Sequence, residues 1–99
     1  MTNYAEFAWK QAETLLSIDS PSGFTAKAAQ WVKETFEGLG FPAFITTKGG
    51  VIADLGGADS ENGLLLAAHT DTLGAMVAAI KGSGLLTLTG LGGMIPNNA

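Results

Sequence analysis

The chain contains no cysteine. That excludes a disulfide framework and any thiolate metal site, and it fits a cytoplasmic protein. Charge is scarce too: Asp, Glu, Lys and Arg make up 14% of the residues, against about a quarter in ordinary domains. Basic residues number five, scattered without forming a patch, and the formal net charge is −4. Binding to a phosphate backbone is driven by Lys and Arg, so nucleic acid is not an expected partner. Near the N-terminus an acid, Glu6, stands where a signal peptide carries a basic region, and no apolar run follows. The longest uncharged stretch, from Gly82 onward, is broken by glycines, Pro96 and two asparagines, so no membrane span is expected.

What is abundant is apolar surface. Hydrophobic residues reach 46% and the mean hydropathy is +0.28. Ninety-nine residues allow one small domain, and small domains need much polar surface because their surface-to-volume ratio is high. The expectation is that part of the apolar surface is covered by further polypeptide or by partner subunits.

Periodicity predicts two helices. The first runs from Asn3 to about Ile18, opened by the capping-box spacing of Asn3 and Glu6. Tyr4, Ala8, Ala12 and Leu15 share one face, widened by Phe7 and Ile18. Ser20-Pro21-Ser22-Gly23 then turns the chain. The second helix runs from about Thr25, as N-cap, to Gly38 or Gly40, with Ala28, Trp31, Val32, Phe36 and Leu39 as its core stripe. Residues 41–46 and 51–55 predict strands joined by Thr47-Lys48-Gly49-Gly50, and residues 75–81 and 85–89 flank Gly82-Ser83-Gly84 in a second hairpin. Asp54 reads as outward-facing, Asp59 and Glu61 as solvated acids, and Lys81 as a strand end. Gly90-Leu91-Gly92 lacks the third glycine and following helix of a nucleotide fingerprint. Residues 93–99 carry neither a helix cap nor a strand closure, so the ending reads as an interruption.

The chain is organised around Leu64-Leu65-Leu66-Ala67-Ala68-His69-Thr70-Asp71-Thr72-Leu73-Gly74. A short apolar run after the turn signal Asn62-Gly63 predicts a strand buried on both faces. Such strands belong to α/β sheets, whose ligands sit beyond the carboxyl ends, where His69 and Asp71 fall. Residues two apart point to one side. Their Cα atoms would be about 6.6 Å apart in an ideal strand, so contact requires a bend. Two readings stand side by side from pattern alone. One is a core histidine beside a solvated aspartate. The other is a metal ligand whose second ring N–H is held by a carboxylate.

The run from Leu65 to Val77 resembles the first metal motif of the co-catalytic zinc aminopeptidases, in particular the glutamyl aminopeptidase family whose members form tetrahedral dodecamers. Leu16 to Gly23 is similar to that family's Ser-Gly loop after the first helix, which the resemblance places near the active site, and Ile80 to Gly93 to the hairpin leading into its inserted β domain. Thr72 departs from the family pattern, in which many members have glutamate there.

The resemblance implies an α/β fold with two helices packed on a mixed sheet: a zinc-exopeptidase-like catalytic domain over residues 1–74, truncated inside the inserted β domain that starts at 75–99. It implies a metal-dependent aminopeptidase that removes N-terminal residues from peptides by metal-activated water. Two divalent metals, zinc or cobalt, would serve each complete site. His69 would be one terminal metal ligand, and Asp71 would belong to the catalytic set as its orienting partner. It further implies peptide substrates, a cytoplasmic location and a homo-oligomer. The remaining ligands and the general base have no counterpart in these residues, so the 99-residue chain alone is expected to be inactive. A non-catalytic α/β interaction or oligomerisation module with a structural histidine is the alternative. Last comes a nucleophilic hydrolase built from Ser22 or Thr70 with His69 and Asp71, for which no strand-to-helix elbow is recognisable.

Overall fold

The computed structural model describes residues 3–93. Helix α1 spans Tyr4–Leu16 and helix α2 spans Ala26–Gly38; strands β1 (Ala43–Ile45), β2 (Val51–Ala53), β3 (Gly74–Ile80) and β4 (Leu86–Leu91) follow. The α/β class expected from the sequence is present. Its sheet consists of two separate antiparallel pairs, β1–β2 and β3–β4. The parallel component is a single bridge between Pro21 and Thr72. Residues 94–99, read from sequence as the interrupted end of the β insertion, lie outside the described residues.

Local chemistry sets the helix limits. Asn3 caps α1 by accepting the Glu6 N–H at 3.0 Å, as its spacing predicts. Thr25 occupies the N-cap of α2 but makes no capping bond, its ψ of 3° being far from the extended geometry that aims a side-chain oxygen at the first turn. The C-terminus of α2 closes with Gly40 N–H to Glu37 O at 3.0 Å and Phe41 N–H to Phe36 O at 3.0 Å. This pair of bonds is a Schellman motif.

Both hairpins use the same three-residue loop. Gly49 N–H donates to Thr46 O at 2.9 Å and Gly84 N–H to Lys81 O at 2.9 Å. Each loop ends on a glycine with φ near +90°, a conformation that a Cβ would penalise. In the second hairpin a register shift between Val77 and Ala79 marks an irregularity in the ladder.

The core is small. Among the described residues the buried ones are Ala28, Ala29 and Ser20. Helix α2 lies against β1 and β2, with Trp31, Val32 and Phe36 half-buried. Two expectations are corrected here. First, the apolar face of α1 contains no buried residue, and Tyr4 is 79% exposed. Second, residues 64–68 form no strand, and Leu64, Leu65 and Leu66 are exposed rather than buried. A strand exists through its ladder bonds, and no described segment pairs with these residues.

The total accessible surface is 8069 Å², against about 5,300 Å² for a folded monomer of this mass by the usual scaling. The radius of gyration, 17.8 Å, likewise exceeds the roughly 13 Å of a compact domain of this length. The surplus of apolar surface inferred from composition is thus laid open along the molecule.

Candidate functional site

Having no ladder of its own, the segment around His69 is held by the turn after α1. Ser20 Oγ donates to Thr70 O at 2.8 Å, and Thr72 N–H donates to Ser20 O at 2.8 Å. Ser20 is 2% exposed, so these bonds satisfy polar groups that burial would otherwise penalise. Pro21 bridges to Thr72. Its ring fits only because residue 74 is glycine: a Cβ there would lie 2.5 Å from Pro21 Cβ.

On this support sit the two residues the sequence singled out, and the structure brings them together. His69 Nδ1 lies 2.9 Å from Asp71 Oδ1 and 3.1 Å from Asp71 O. The other carboxylate oxygen, Oδ2, accepts from Ser22 Oγ at 2.8 Å. The Ser22 hydroxyl first, and His69 second, hold the Asp71 carboxyl below its ordinary pKa, because both interactions favour the charged form.

In a neutral imidazole, a carboxylate facing Nδ1 favours the tautomer with the proton there and the lone pair on Nε2. The His69 side chain is 85% exposed, so the ring stands open to solvent. The core-histidine reading is therefore corrected: this imidazole is not packed among apolar residues. His69 and Asp71 line an open groove of about 610 Å³, together with Ser22, Gly23, Lys48 and Gly49.

The residues present fit one metal ligand and the group that orients it. A catalytic zinc takes about three protein ligands, and no cluster of three or more His, Cys, Asp or Glu able to hold a metal occurs among the described residues.

The same geometry argues against Ser22 as the nucleophile of a hydrolase triad. In a Ser-His-Asp triad the histidine stands between the other two and takes the serine proton. Here Asp71 stands between Ser22 and His69, and the hydroxyl points at the carboxylate. The remaining acids lie elsewhere: Asp54 accepts the Gly56 N–H at 2.9 Å, and Asp59 accepts from Glu61 N–H at 2.9 Å and Asn62 Nδ2 at 2.8 Å. Sequence reading missed the anchoring role of Ser20 and Pro21. No local pattern signals it, since the partners lie about fifty positions away.

An open histidine steadied by a carboxylate has the chemistry that suits a metal ligand and its orienting partner. Comparison with known proteins gives the family. The model of the M42 glutamyl aminopeptidases matches residues 49–99, and the chain belongs to that family. It is also 38% identical over 84 residues to the Bacillus subtilis (strain 168) protein named "Putative aminopeptidase YhfE". That match takes in 85% of this chain and 24% of the relative, so the chain spans about a quarter of the relative's length.

Proposed function

We propose that these residues are the N-terminal portion of a metal-dependent aminopeptidase that removes residues from peptide N-termini. His69 supplies one metal ligand and Asp71 orients it. The observation that carries this reading is the 2.9 Å approach of Asp71 Oδ1 to Nδ1 of an imidazole whose other face is open. Family membership gives the reaction class. Bound zinc or cobalt, two ions per complete site, would polarise the scissile carbonyl and make hydroxide available near neutral pH.

The division at residue 74 belongs to the same reading: residues 1–74 start the catalytic α/β domain and residues 75–99 start the inserted β domain. Strands β3 and β4 pack on each other and on no other described helix or strand, which supports that boundary. The exposed Leu64–Leu66 run and hairpin faces support cover by further chain and by subunits of a homo-oligomer. Absence of cysteine supports a cytoplasmic setting. Among the described residues no helix is long and apolar enough to cross a membrane. With one ligand present, the 99 residues alone have no peptidase activity and bind zinc weakly.

The test is His69→Ala in the product of the complete gene, followed by metal analysis and aminopeptidase assay. Loss of one tightly bound metal together with activity is expected. Unchanged metal content would sink the assignment.

A further inference from the structure

We infer that Ser22 is a positioning residue of the metal site: it locks the Asp71 carboxylate in the rotation that keeps Oδ1 on His69 Nδ1. The inference rests on the reading of His69 as a ligand and goes beyond it, because the Ser22 hydroxyl acts through the Asp71 carboxylate.

The argument starts from what holds the histidine. With 85% of its side chain exposed, His69 has little packing to fix its ring, and its hydrogen bonds both go to Asp71. Asp71 is itself exposed, its side chain at 45%. The terminal torsion of an aspartate is broad, so packing leaves the carboxylate free to turn. What stops it is the second oxygen: Oδ2 is tied to Ser22 Oγ at 2.8 Å. Hydrogen bonds on both oxygens define the plane of the carboxylate and therefore the direction from which Oδ1 meets the ring.

Ser22 can do this because its own position is fixed from the opposite side of the same segment. Ser20 is bonded to Thr70 O and to Thr72 N–H, and Pro21 lies against Gly74. The turn thus grips the backbone at 70, 72 and 74 and presents one hydroxyl to the side chain at 71. Ser20 bonds backbone and serves the fold. Ser22 bonds the carboxylate and serves the ligand.

The experiment uses the product of the complete gene, stripped of metal and titrated with Zn²⁺ against a chromogenic chelator. Partners that orient a ligating histidine are typically worth ten- to a hundred-fold in metal affinity. Ser22→Ala is expected to weaken one zinc position about ten-fold, with the melting temperature of the metal-free protein unchanged. Ser22→Thr, which keeps the hydroxyl, is expected to restore the affinity. Wild-type affinity in Ser22→Ala, while His69→Ala loses the metal, overturns the role of Ser22 alone. Equal weakening in the Ala and Thr variants, with a lower melting temperature, also overturns it by showing a merely structural turn. Full zinc affinity in His69→Ala overturns the ligand reading, and this inference with it.

Discussion

Nδ1 of His69 stands 2.9 Å from Oδ1 of Asp71, with most of the imidazole open to solvent. In an ideal strand their Cα atoms would stand about 6.6 Å apart, and the sequence alone suggested that contact requires a bend. Residues 69–71 belong to no ladder and carry no bend; the two side chains, two positions apart, span the gap themselves. Replacing the carboxylate by its neutral isostere separates charge from shape: Asp71→Asn is expected to lower zinc affinity at one position of the complete protein by about ten- to a hundred-fold. Titration of the metal-free protein with Zn²⁺ measures it, and an affinity equal to wild type would show that Asp71 does not orient the ligand.

The turn before the 64–68 run makes a prediction about pH. Asp59 is held below its ordinary pKa of 3.8, first by the Asn62 side chain and then by the Glu61 N–H. Its folded pKa is thus below the unfolded one. Its contribution to folding is complete above the unfolded value and is lost as the pH falls through the folded value. In Asn62→Ala the Asp59 midpoint should move up, toward 3.8. Carbon NMR of the Asp59 carboxyl across the acid range reads this directly, and an unmoved midpoint would refute the cause assigned.

Gly74 makes the third prediction. Its missing Cβ is the space that Pro21 fills, with 2.5 Å between the built Cβ and Pro21 Cβ. The proline ring cannot fold aside as a flexible side chain would. Gly74→Ala should therefore destabilise the protein by about 1–3 kcal/mol, the usual cost of overpacking. Gly63→Ala, with nothing within 4 Å of the added methyl, should not lower stability. Urea denaturation of both variants tests the contrast, and equal behaviour would mean that the turn and the segment are not packed as described.

Much of this molecule is legible along the chain because the signals are local. Asn3 and Glu6 mark the start of α1 by spacing, and the loops at Gly49 and Gly84 give both hairpins within a residue or two of their strand limits. The pairing of His69 with Asp71 is also local, a matter of two positions. The buried strand expected at 64–68 fails for the opposite reason. Its apolar run records that the side chains want cover, but a ladder needs a second segment, and periodicity does not say whether the described chain contains one.

What the sequence determined by itself, then, is the two helices, the two hairpins and the pairing of the histidine with its carboxylate. These follow from propensity, capping and spacing over a few residues. The family resemblance put the Ser20–Gly23 loop near the site, but the tertiary structure alone decided how Ser20, Pro21 and Ser22 bond residues 70–72, that Asp71 stands between Ser22 and His69, and that the imidazole is open rather than packed. Those facts depend on contacts between residues about fifty positions apart. Such contacts form only when the chain folds back on itself, and no local pattern encodes where a hydroxyl will meet a carboxylate.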